Sequence, residues 1–131
     1  MANEFFAVLM FEGTAEQAMA LYVSIFKDAR ILEVQRFGAE GPGAEGSIKR
    51  AELLLGNYKV VCFDSPVKHR FTFTPSVSLF VECDSIAELD QIHGQLSAGG
   101  AVLMPPGQYG FSTKFTWFND RFGVSWQLNV V

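Results

Sequence analysis

Val77-Ser78-Leu79-Phe80-Val81-Glu82-Cys83-Asp84-Ser85-Ile86-Ala87-Glu88 is the stretch on which the fold turns. Its first seven residues read as a strand. Ser85-Ile86-Ala87-Glu88 has the form of a capping box, in which the serine hydroxyl accepts from the backbone N–H three residues on. Behind it, Ile86, Leu89, Ile92 and Leu96 recur at helical spacing, which buries one face of a helix. Gly99-Gly100 ends that helix in the manner of a C-terminal glycine. Ala101 to Met104 reads as a short strand and Pro105-Pro106-Gly107 as a loop. Thr113 to Phe118 and Val124 to Val130 form a last hairpin around Asn119-Asp120-Arg121-Phe122-Gly123.

The same succession stands earlier in the chain. Phe5 to Phe11 is almost wholly apolar and reads as a strand buried on both faces. Thr14-Ala15-Glu16-Gln17 is a first capping box, and Ala18, Leu21, Tyr22, Ile25 and Phe26 follow at helical spacing. Ile31 to Phe37 reads as a strand, and residues 38–46 are too rich in Gly and Pro to be anything but a loop. Ile48 to Leu55 and Tyr58 to Phe63 form a hairpin around Gly56-Asn57. The two capping boxes lie 71 positions apart. Strand, helix, strand, strand, strand thus occurs twice, a duplicated unit rather than a solenoid, which needs at least three repeats. The expected fold is α+β within a single domain over 1–131. Module one spans about 1–66 and module two about 75–131, with a curved half-sheet in each and a helix behind it.

Composition narrows the function classes. The chain has 131 residues, 49% hydrophobic and 18% charged, which suits one folded domain and excludes disorder. Its 13 phenylalanines predict an aromatic-lined interior. A net charge of −4 with scattered Lys and Arg offers no face for nucleic acid. No apolar stretch approaches the roughly 20 residues that span a membrane, and the N-terminal residues lack the features of a signal peptide. Cys62 and Cys83 read as small buried apolar residues of a reducing compartment. The expected location is the cytoplasm.

Several stretches together carry a family resemblance. They are Pro75 to Cys83, Gly99 to Pro105, Tyr109-Gly110-Phe111-Ser112 and the tail Trp117 to Asn129, in which Asp120-Arg121-Phe122-Gly123-Val124-Ser125-Trp126-Gln127 is the most specific. The helix segment Ala18 to Phe26 contributes as well. The chain resembles the PhnB-like branch of the vicinal-oxygen-chelate superfamily, which includes glyoxalase I, bleomycin-resistance proteins and extradiol dioxygenases. The resemblance implies paired βαβββ modules whose curved mixed sheets form a cleft, and a homodimer. Members often bear the name 3-demethylubiquinone methyltransferase. The Gly-rich loop at 38–46, however, leads into a strand and offers no helix N-terminus to a nucleotide-type methyl donor, so methyl transfer is not expected.

Metal-using relatives hold a divalent ion with His and Glu from facing strands. The resemblance sets those positions at Ala7, near Val61 or Cys62, near Val77 or Ser78, and at Gln127, none of which is His, Asp or Glu. The chain's two histidines, His69 and His93, lie in a connector and in the second helix. The expectation is no metal and no cofactor, with a non-standard site using His69, Asp64 or Glu52 as the alternative. Alternation places Ser125, Gln127 and Asn129 on one face of the last strand. The resemblance turns Gln127 toward the cavity, Trp117 lies on the adjacent strand, and Tyr109 and Phe111 stand at a cavity mouth. The candidate ligand-binding residues are therefore Gln127, Ser125, Trp117, Tyr109 and Phe111. No nucleophile–base pair is visible. The leading expectation is a metal-free protein that binds an unknown small molecule. A lyase, isomerase or dioxygenase with a non-standard metal site is one alternative, and a dimerisation domain with a filled cleft is the other.

Overall fold

The computed structural model describes all residues from Met1 to Val131, in two compact units, Met1–Arg70 and Phe71–Val131. The first contains β1 (Ala7–Phe11), α1 (Ala15–Ile25), β2 (Ala29–Arg36), β3 (Ile48–Leu55) and β4 (Tyr58–Asp64). Its four-stranded sheet runs β1-β4-β3-β2, with β1 parallel to β4 and the other pairs antiparallel. The second contains β5 (Leu79–Glu82), α2 (Ile86–Leu96), β6 (Ala101–Gly107), β7 (Lys114–Asn119) and β8 (Ser125–Val130). It repeats the same topology as β5-β8-β7-β6, with β5 parallel to β8. The chain is therefore α+β, two βαβββ modules with mixed sheets.

Each helix covers one face of its own sheet. In the first unit Ala51 and Leu53 of β3 oppose Cys62 and Val60 of β4, and all four are fully buried. Ala15, Ala18, Met19 and Tyr22 form the buried side of α1. In the second unit Leu89, Ile92 and Leu96 are the buried side of α2, and Phe118, Trp126 and Leu128 are buried in the sheet. His93 of α2 meets Phe118 edge-on, with ring centroids 5.2 Å apart, so this is the face that α2 covers. At about 25 cal/mol per Å² of apolar area removed from water, burial of each Leu, Ile, Met or Phe among them stabilises by about 2 kcal/mol.

Two glycines mark close approaches. A Cβ on Gly100 would lie 1.9 Å from the Asn119 carbonyl oxygen, so the start of β6 meets the β7–β8 turn only without a side chain. A Cβ on Gly43 would lie 2.6 Å from the Phe37 ring, because the loop after β2 wraps that buried phenylalanine. The loop is closed by two backbone hydrogen bonds, from the Phe37 N–H to Ser47 O and from the Gly46 N–H to Phe37 O, both 2.9 Å. It is an enlarged hairpin leading into β3.

Three local expectations are corrected. β1 is not buried on both faces: it is an edge strand, Val8 is 54% exposed, and Phe11 is its one buried residue. An apolar run alone does not distinguish an edge from a centre. β6 runs through Pro105 and Pro106 to Gly107, where a loop was expected. It too is an edge strand, so prolines that cannot donate to a ladder are tolerated. Thr14 makes no side-chain cap. Instead Asp64, at the end of β4, accepts from the Gly13 N–H (2.9 Å) and the Ala15 N–H (3.0 Å) through Oδ1, and from the Ile48 N–H (2.9 Å) through Oδ2.

Candidate ligand-binding face

The sheet of the second unit has one face away from α2, and its register arranges nine residues there in three rows. Phe80, Gln127 and Trp117 form the middle row across β5, β8 and β7. Glu82, Asn129 and Phe115 form the row on one side. Asn119 pairs with Ser125 on the other side, and the Ser125 Oγ lies 2.7 Å from that of Ser78, which completes that row. Alternation explains the set, since every second residue of β7 and β8 must point the same way.

The five candidate residues all belong to this face or lie against it, but they differ in what they can do. Ser125 is buried, and its Oγ is engaged by Ser78 and by the Trp117 Nε1–H at 2.9 Å. It fixes the indole and leaves little for a ligand. Gln127 is half-buried, and its amide has no hydrogen-bond partner within the chain. Tyr109 and Phe111 fold over Phe115, with ring centroids 6.1 and 4.9 Å away in edge-on contacts, and the Tyr109 hydroxyl donates to Pro105 O. They wall one end of the face. Sequence reading passed over Phe80 as part of this set, because the parallel pairing of β5 with β8 leaves no local mark. In the structure Glu82 accepts from the Asn129 Nδ2–H at 3.1 and 3.4 Å, and Glu12 from the His69 N–H at 3.4 Å.

The tail motif has a structural explanation. Asp120 is buried in the β7–β8 turn, where Oδ1 accepts from the Phe122 N–H (2.8 Å) and the Val124 N–H (3.1 Å). Oδ2 accepts from the Trp126 Nε1–H (2.9 Å), which ties the turn to the core.

The residues present do not fit a vicinal-oxygen-chelate metal centre. Gln127 brings a neutral amide where such sites use a carboxylate, and Ser78 is bonded to Ser125. Ala7 offers no ligand atom, Val61 lies opposite Val8 on the other face of the first sheet, and Cys62, on the face of Ala7, is fully buried. The alternative trio does not gather either. Asp64 is occupied by three backbone N–H groups, Glu52 pairs with Arg50 at 2.8 Å, and His69 meets the Ser65 hydroxyl at 2.9 Å. No three His, Cys, Asp or Glu side chains come together as a ligand set. The thiols are buried and chemically quiet: desolvation and the nearby Asp64 push Cys62 up to about 12, and desolvation chiefly pushes Cys83 up to about 11. His93 is held below its ordinary value by burial and by Lys114, against an opposing pull from Asp90.

A repeated βαβββ module with this strand order is the fold of the vicinal-oxygen-chelate superfamily. A glyoxylase/bleomycin resistance/dioxygenase domain from a Frankia species shares it at a TM-score of 0.68 and 17% identity, over 99% of this chain and 92% of that one. Within that class the chain belongs to the PhnB-like family described as 3-demethylubiquinone-9 3-methyltransferase, which matches residues 3–129. A PhnB protein of Bacillus cereus that bears the same description is 45% identical. It superposes with a TM-score of 0.95, covering 98% of this chain and 100% of that one. A Pseudomonas aeruginosa protein is 26% identical, with a TM-score of 0.86 and 98% of both chains covered. No curated protein sequence matches the chain. No helix is long and apolar enough to cross a membrane.

Proposed function

We propose that this chain is a metal-free small-molecule-binding protein, working as a cytoplasmic homodimer, and that its ligand lies against the open face of the second sheet. The observation that carries this reading is Gln127, an unpartnered amide between two aromatic side chains, Phe80 and Trp117. An apolar wall with a few convergent polar groups is the usual form of a small-molecule site. An amide in that place can orient a ligand by hydrogen bonds but is a poor anchor for a divalent ion. Methyl transfer gains no support, since the Gly-rich loop before β3 is a hairpin wrapped on Phe37. A second reading, a dimerisation domain whose cleft is filled by its own aromatics, draws on the packing of Tyr109 and Phe111 against Phe115.

The test is a thermal-shift titration of chelator-treated protein with Mn²⁺, Fe²⁺, Co²⁺, Ni²⁺ and Zn²⁺, followed by a metabolite screen. A ligand of the folded state at 100 times its dissociation constant adds roughly 2.7 kcal/mol, a shift of several degrees. No metal is expected to produce one, and a saturable shift with any of them would replace this reading with a metal-dependent enzyme. A screen in which no metabolite shifts a metal-free protein would favour the filled face.

A further inference from the structure

We propose that the ligand of this face is an organic cation, an ammonium group held by the Glu82 carboxylate beside the Phe80 ring. The inference rests on the small-molecule reading above and adds the ligand's charge. Glu82 is the single charged side chain among the nine residues of the face, and it is exposed. Its partner within the chain is a neutral amide, Asn129, whose Nδ2 donates to both carboxylate oxygens. That donation fixes the amide: a flip would set a carbonyl oxygen against a carboxylate. Asn129 is 8% exposed, and its Oδ1 is left buried with no donor. Asn119, in the outer row, also has a buried Oδ1 without a donor. The unmet group whose orientation is fixed, Asn129 Oδ1, is an acceptor, and a buried acceptor without a donor is unfavourable.

The second unit directs its own cations elsewhere. Lys114 and Arg121 are its only Lys and Arg residues. Lys114 pairs with Asp90 of α2 at 2.7 Å, and Arg121 donates to Gln95 O, also on α2. The face is thus rich in acceptors and holds an unneutralised carboxylate. Phe80, 54% exposed, stands one strand position before Glu82 in the alternation and 6.5 Å from the Phe115 ring. An aromatic face next to a carboxylate attracts an ammonium through the ring quadrupole and by direct charge. A benzoate-like anion would meet repulsion from Glu82 with no cation of the second unit to offset it.

Three probes of similar shape separate charge from shape: benzylammonium, benzyl alcohol and benzoate, each titrated at neutral pH while tryptophan fluorescence is followed. Benzylammonium is expected to bind saturably and at least roughly tenfold more tightly than benzyl alcohol, with benzoate weakest. Glu82→Gln, with its fold checked by circular dichroism, is expected to erase the preference, and Glu12→Gln in the first unit to keep it. Equal binding of benzyl alcohol and benzylammonium would overturn the cation inference and leave the small-molecule reading standing. An undiminished preference in Glu82→Gln would overturn it as well. Failure of all three probes at millimolar concentration would count against both.

Discussion

Each module buries one carboxylate and surrounds it with N–H donors, yet the two are used on different scales. Asp64 gathers the N–H groups of Gly13, Ala15 and Ile48, joining the end of β4 to the start of α1 and to β3 across as many as 51 residues. Asp120 gathers those of Phe122, Val124 and the Trp126 indole, all within six residues. The first module therefore caps its helix from a distant strand. The second caps its helix locally: Ser85 Oγ accepts from the Glu88 N–H at 3.1 Å, and Glu88 accepts from the Asp84 N–H at 2.8 Å. Duplicated topology does not require duplicated chemistry. Orphan donors at a helix start need an acceptor, and either chain-local or chain-distant residues will serve.

The strongest way to break this comparison is to remove the two carboxylates. Asp64→Ala leaves three N–H groups without an acceptor and is expected to cost about 3 kcal/mol in urea unfolding, given about 1–3 kcal/mol for each buried unmet group and incomplete additivity. Asp120→Ala is expected to cost less, about 2 kcal/mol, because a short turn can open its donors to water. An Asp64→Ala loss no larger than that of Asp120→Ala would defeat the claim that the distant cap holds the first module together. A finer probe compares the caps themselves. Ser85→Ala is expected to cost about 1 kcal/mol and Thr14→Ala only a few tenths, since the threonine hydroxyl bonds nothing at the helix start. Equal losses would mean that Thr14 caps α1 after all.

The smallest expected effect is one of pH. His93, packed on Phe118 and within 3.4 Å of the Thr116 hydroxyl, has a depressed pKa in the folded chain. A histidine depressed on folding favours the neutral form. Its contribution is complete above the unfolded value of about 6.5 and is lost as pH falls through the lower folded value. The melting temperature should therefore drop modestly below about pH 6.5, and His93→Gln should flatten that part of the profile. Asp90 and Lys114 lie near the ring with opposing effects, so the profile is best followed at fixed ionic strength.

Much of the fold was legible because its signals are local. Ser85 and Glu88 announce a helix three residues apart, Gly56-Asn57 announces a hairpin, and Gly99-Gly100 a helix end. What escaped reading depends on pairing between segments far apart. Asp64 becomes a helix cap only because β4 runs parallel to β1. Phe80 and Glu82 join Gln127 and Asn129 only through the parallel β5–β8 ladder. Alternation within β8 was enough to gather Ser125, Gln127 and Asn129, but it could not say that Ser125 is already bonded. Pro105 and Pro106 read as a break because proline is scarce in central strands, while β6 is an edge.

The position of Asp64 also has a consequence in time. During synthesis from the N-terminus, the residues of α1 emerge long before the residue that closes their first turn. Until β4 has been made and paired, the donors at Gly13 and Ala15 face water, and an eleven-residue helix of this kind is marginal alone. The cap of α1 thus waits on residue 64, whereas α2, equally short, carries its start signal in Ser85 and Glu88 and needs no later segment for its cap.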